Sequence, residues 1–145
     1  MDSSSTFAIS AAGMALERTR VEVAALNLAN AHTTQAAGQP GFAPMQVVAQ
    51  AAPAGAFAAL MQGGATAAAL APEFRVEPTG AAPRLVHEPG HPLADANGFV
   101  SYPAVDPATE MMSLIGATRA YEANVAAMNT TRTLALKALD IGGQS

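Results

Sequence analysis

Two segments at opposite ends of the chain keep helical spacing over long runs, and nothing else in the sequence limits the fold as tightly. Residues 7–31 and 107–141 have no proline in their interiors, and the first has Gly13 as its one interior glycine. Ser3, Ser4, Ser5 and Thr6 are all suitable N-caps for the first helix. Asp106 can cap the second, Pro107 is at home in its first helical position, and Gly142 and Gly143 stop it. At about 1.5 Å per residue the spacing predicts helices roughly 35 and 50 Å long, long for a small globular domain.

In the first helix Phe7, Ala11, Met14, Val21, Ala25 and Leu28 recur at alternating three- and four-residue steps, with Arg18 the one polar interruption. This is a coiled-coil type of seam. A second apolar set, Ile9, Ala12, Leu16, Val23 and Leu26, lies about 180° away around the helix. In the last helix Met111, Leu114, Thr118, Tyr121, Val125, Met128, Ala135 and Leu139 form a long seam with Arg132 in register. Its back carries mostly small residues, Gly116, Ala120, Ala123, Ala127, Thr130, Leu134 and Ala138. An antiparallel hairpin with the main seams as core explains one face of each helix. The second faces then need cover from other protein, which points to an assembly subunit.

Between the helices the chain is rich in proline and glycine. "MQVVAQ" (45–50), "EFRVE" (73–77), "RLVHE" (84–88) and "GFVSY" (98–102) read as short strands, and Asn97-Gly98 signals a tight turn. The Ala/Gly tract 51–71 fits a loop or a short helix. The fold class expected is mainly α with a small β section: an antiparallel, coiled-coil-like hairpin of terminal helices with a β-hairpin and loop insert. The corresponding divisions are 1–33, 34–106 and 107–145.

Only 12% of residues are charged, and 23–72 contain no Asp, Glu, Lys or Arg. A typical soluble domain has about 25%, so this chain expects much of its surface to meet protein. Membrane insertion competes poorly. Gln62, Gly63 and Gly64 break the most apolar window, whereas a spanning helix needs about 20 strongly apolar residues. A net charge of −4 gives no reason to expect nucleic acid. There is no cysteine, and no positive charge precedes Arg18, so neither disulfides nor a Sec-type signal peptide is expected.

"HEPGH" (87–91) has the histidine spacing of a zinc protease helix with a glutamate between. Pro89, Gly90 and Pro92 prevent that helix, and no cysteine can help complete the site. A Pro/Gly-rich turn without metal is the expected structure.

"VAALNLANAHT" (23–33) resembles the N-terminal signature of the flagellar axial proteins, with Asn27, Leu28, Ala29, Asn30 and Ala31 forming its core. "FAPMQVVAQ", "LVHEPGHPLADANGFVSYPAVD" and "EMMSLIGATRAYEANVAAMNTTRTLALKALDIG" are similar, in order and spacing, to the basal-body rod proteins of that family. The resemblance covers nearly the whole chain outside the Ala/Gly tract. Leu26 stands where the family usually has a small polar residue, and Ala104 replaces an asparagine.

The resemblance implies a non-enzymatic subunit of the proximal rod, without cofactors, exported unfolded through the flagellar type III apparatus and assembled in the periplasm. It implies partners among the other rod subunits, FlgB, FlgF and FliE, and copies of itself. The helices would form an inner tube and the middle section an outer ring. Interface residues are then expected at Phe7, Met14, Val21, Leu28, Ile9, Leu16, Val23, Asn27, Asn30, Met111, Leu114, Tyr121, Val125, Met128 and Leu139. The family's turn would comprise His91, Pro92, Asp95, Asn97 and Gly98. Asn27 and Asn30 suit a helix end because asparagine satisfies carbonyls and tolerates left-handed backbone. The alternatives are a helical-hairpin secretion adaptor or chaperone that closes as a small oligomer, and a hydrolase built on His87, Glu88 and His91.

Overall fold

The computed structural model describes residues 3–36, 38–50 and 73–142. In chain order these form α1 (Ser3–Asn30), β1 (Gln35–Ala36), β2 (Met45–Gln50), β3 (Glu73–Pro78), β4 (Arg84–His87), β5 (Phe99–Tyr102) and α2 (Pro107–Gly142). Two terminal helices with a small sheet section between them are therefore the observed architecture. The Ala/Gly tract lies outside the described residues.

Contacts gather the chain into two compact units. One comprises Arg20–Val48 and Val76–Ile115. It holds a three-stranded antiparallel sheet in the order β1-β5-β4, with Gln35 opposite Ser101, Val86 opposite Val100, and His87 opposite Phe99. As the central strand, β5 has its backbone paired on both sides, and Val100 is fully buried beside a nearly buried Ser101. β2 pairs with β3 in a separate two-stranded sheet, and just beyond its end the Thr79 N–H donates to the Pro44 carbonyl at 2.8 Å.

The β4–β5 connection differs from the tight turn expected at Asn97-Gly98. The ladder runs one pair further, the Glu88 N–H donating to the Gly98 carbonyl, and residues 88–98 form a larger loop. Asp95 closes it: its Oδ1 accepts the N–H groups of Asn97 and Phe99 at 2.9 and 2.8 Å. Only Gly98 takes a positive φ, +79°, and its neighbour Asn97 does not. The proline-rich segment after His87 cannot continue the strand, so a carboxylate takes over the work of a two-residue turn.

The other unit takes the described residues of Met1–Thr19, Ala49–Arg75 and Gly116–Ser145. Here Gly13 of α1 lies against Asn124 of α2, so close that a Cβ at Gly13 would sit 3.0 Å from Asn124 Oδ1. In the first unit Asn27 of α1 bonds Glu110 of α2. Rising positions on α1 thus meet falling positions on α2, consistent with an antiparallel hairpin.

The buried line of each helix departs from the expected seam by one residue at alternate positions, while Phe7, Met14, Val21 and Leu28 stay half-buried where the seam put them. On α1, Ser10, Glu17 and Ala24 are buried, where Ala11, Arg18 and Ala25 were expected. On α2 the inward positions include Glu110, Ala117, Asn124 and Thr131, where Met111, Thr118, Val125 and Arg132 were expected; Leu114, Val125, Met128 and Ala135 remain half-buried. This rotation leaves Arg18 and Arg132 exposed. The inner line is not free of charge, since Glu17 is buried on it, but Ala24 and Ala117 are small and allow close helix approach.

Gly98→Ala is expected to cost about 1–3 kcal/mol. The backbone at Gly98 is already left-handed, where a Cβ is strained, and that Cβ would meet His87 Nε2 at 3.0 Å and Pro89 Cβ at 3.1 Å. A lowered urea midpoint checks this, and an unchanged midpoint would refute the close packing of the loop.

Candidate assembly surface

The end of α1 is built from its asparagines. Asn30 Nδ2 donates to the Leu26 carbonyl at 2.8 Å, and its own carbonyl accepts the Thr33 N–H at 3.0 Å. Neither signature asparagine uses the left-handed backbone expected of it, since every positive φ among the described residues belongs to glycine. Their amides act instead. Asn27 is buried and makes three hydrogen bonds, one to Glu110 and two to the backbone of Met45.

α2 begins as its sequence implies. Asp106 accepts the N–H groups of Ala108 and Thr109 at 3.3 and 3.2 Å, along with the Thr109 hydroxyl. The Thr109 hydroxyl, then the two N–H groups, hold its carboxyl below the ordinary 3.8, against a smaller opposing effect of desolvation. On β5 the Tyr102 hydroxyl donates to Glu88, 3.1 Å from the nearer oxygen. Desolvation first, and this bond second, raise the phenol above its ordinary 10.0.

Several polar side chains of the helices bond to their own backbone four residues back. Thr19 donates to the Ala15 carbonyl on α1; on α2 Asn124, Thr130, Thr131 and Thr133 donate to Ala120, Ala126, Ala127 and Asn129.

Large apolar side chains face solvent instead. Of the expected interface residues, Ile9, Met111, Tyr121 and Leu139 are exposed, Leu139 by 71%. Phe7, Met14, Leu16, Val21, Val23, Leu28, Asn30, Leu114, Val125 and Met128 are half-buried. Met112, Ile115, Leu136 and Ile141 are also exposed, and the expected seams omitted them because they fall between the heptad positions. Glu110, the partner of Asn27, was also missed, since a first-turn acid reads from sequence as a helix-dipole residue.

In the expected turn, Gly98 is buried, His91 and Asp95 are half-buried, and Pro92 and Asn97 are exposed. His91 Nδ1 accepts the Leu93 N–H at 3.1 Å, and His87 packs edge-on to Phe99 with ring centres 5.1 Å apart. Both histidines are thus engaged in local structure. Among the described residues no three of His, Cys, Asp and Glu gather as a metal site, and no helix is long and apolar enough to cross a membrane.

A chain with this architecture has close relatives. The family described as "Flagellar basal body rod FlgEFG protein C-terminal" matches residues 96–141. The flagellar basal-body rod protein FlgC of Salmonella typhimurium is 42% identical over 139 residues, covering 94% of this chain and 95% of the relative. FlgC of Bacillus subtilis is 36% identical over 141 residues, covering 92% and 94%. The chain belongs to the FlgC family of flagellar basal-body rod proteins. It is a structural subunit of the rod, placed in the flagellar basal body and assembling with other rod components. These relatives give the secretion-adaptor alternative no support.

The Asp106 cap gives this rod subunit a pH signature. Because the folded-state pKa is depressed, the charged cap contributes fully above the unfolded value of 3.8 and is lost as pH falls through the lower folded value. Asp106→Asn keeps a carbonyl acceptor but does not titrate. The gap between the urea midpoints of the native chain and this variant should therefore narrow from neutral pH to about pH 3. A gap independent of pH would show that the charge contributes nothing.

Proposed function

We propose that this rod subunit belongs to the proximal rod and is part of the drive shaft that carries motor torque for swimming. One observation carries the reading. The helices turn small and polar side chains inward and leave large apolar ones, Leu139 and Met111 among them, in water. Exposed apolar bulk on terminal helices is covered in an assembly, where each buried methylene contributes about 0.8 kcal/mol.

In this reading 1–33 and 107–145 build the inner tube and 34–106 the outer contacts. The three- and four-residue steps of Phe7, Met14, Val21 and Leu28, and of Met111, Leu114, Tyr121, Val125, Met128 and Leu139, support coiled-coil-like packing against neighbouring helices. FlgB, FlgF, FliE and further copies are the neighbours proposed, through unlike faces that propagate without closing. In this reading the chain reaches the periplasm unfolded, through the flagellar type III apparatus. The reading involves no catalysis and no cofactor.

Leu139→Asp separates assembly from folding. As a surface change it should alter subunit stability by no more than about 0.5 kcal/mol, yet abolish rod completion and motility while the subunit is still made and exported. Val125→Asp, at a half-buried position, should lower stability and assembly together. Ala123→Leu, on the exposed small-residue face, should weaken motility in a temperature-sensitive way. Swimming, secreted subunit and rods in purified basal bodies are the measurements. Normal rods in the Leu139→Asp strain would overturn the proposed packing.

A further inference from the structure

Val100 and Asn27 are the largest fully buried side chains among the described residues, and Asn27 is polar. Its Nδ2 donates to the Met45 carbonyl at 2.8 Å and to Glu110 Oε1 at 3.0 Å, and its Oδ1 accepts the Met45 N–H at 2.9 Å. The two bonds to Met45 are those a neighbouring strand would give the first residue of β2. The third reaches a carboxylate in the first turn of α2. Both donor hydrogens sit on one planar nitrogen. Once the amide is set against Met45, the direction in which Glu110 must stand is therefore fixed.

We propose that Asn27 is a positioning residue that couples the docking of β2 to the pairing of the two helices. β2 is held at the end of α1 in this geometry only when α2 brings Glu110 alongside. Shape alone does not provide this coupling. Leucine of similar size would leave the Met45 N–H and carbonyl without their partner, and aspartate would have no hydrogen for either acceptor. The coupling is a property of the single subunit and stands whatever its place in the rod.

The charged group bonded to the amide is Glu110 from α2. Glu110 and Met45 also line a cleft of about 320 Å³, to which α1 contributes Arg20. β2 has no titratable side chain. Hydrogen exchange on the isolated full-length subunit tests the coupling, because the Met45 amide reports the Asn27 bond directly. Glu110→Ala lies on α2, yet it should speed Met45 exchange about tenfold or more relative to the Val100 amide. Glu110→Gln keeps the acceptor and should leave that ratio within about threefold.

Asn27→Asp preserves shape and removes the donors, placing a second carboxylate beside Glu110. Its folded-state pKa would be raised, so the folded state binds the extra proton and the variant regains stability as pH falls. The deficit against the native chain should therefore shrink between about pH 7 and pH 4. Adding Glu110→Gln to Asn27→Asp should recover part of the deficit at neutral pH, since the new amide can donate to Asp. A pH-independent deficit, or Met45 and Val100 responding equally to Glu110→Ala, would overturn the coupling.

Discussion

A single buried amide joins three parts of this chain. Asn27 sits in the last turn of α1, and its hydrogen bonds reach the start of β2 and the first turn of α2. An apolar residue there would pack, but would leave the half-buried backbone of Met45 without its partner. Each orphaned polar group costs about 1–3 kcal/mol. The polar choice is also directional, so it specifies one arrangement of strand and helices where apolar contact would allow several.

The helices reflect the same preference for geometry over bulk. Ser10, Gly13, Glu17, Ala24 and Asn27 on α1, with Glu110, Ala117, Asn124 and Thr131 on α2, hold the inner line. This sacrifices much of the hydrophobic gain available inside one subunit and saves large side chains for outside contacts. Such a division suits a protein whose stability is meant to come from its neighbours, because lone helices gain most of their stability from packing.

Much of this was legible in the sequence. Helix ends were marked by Asp106 and Pro107, strands by short β-branched runs, and the family by the run from Asn27 to Ala31. The rotation of the seams was not, because a heptad count rewards the largest apolar residues and cannot tell which of two apolar faces turns inward. Arg132, which interrupted the expected seam of α2, was the available hint there, since the shift turns Thr131 inward and leaves Arg132 in water. On α1 the same shift exchanges Arg18 for the equally charged Glu17, and charge gave no guide. The asparagines do satisfy carbonyls as expected, but without the left-handed backbone, and the partner of Asn27 was out of reach of the sequence. Composition at a helix end suggests backbone conformation, whereas an amide reaching Met45 from Asn27 depends on tertiary approach that no local pattern encodes. Likewise, Asn97-Gly98 signalled a turn correctly, but its size was set by Asp95 and by the prolines of the preceding loop.

The threonines of α2 carry a consequence for how the helix meets its surroundings. Thr130, Thr131 and Thr133 each give their hydroxyl hydrogen to a carbonyl of the preceding turn. A neighbour arriving over the exposed Thr130 and Thr133 would meet methyl groups and hydroxyls already partnered. Dehydrating those hydroxyls therefore strands no donor, whereas the exposed Arg132 beside them must keep its water or be given an acceptor. Those positions can be dry or wet at small penalty, so a neighbouring helix can seat against them without supplying partners for their hydroxyls.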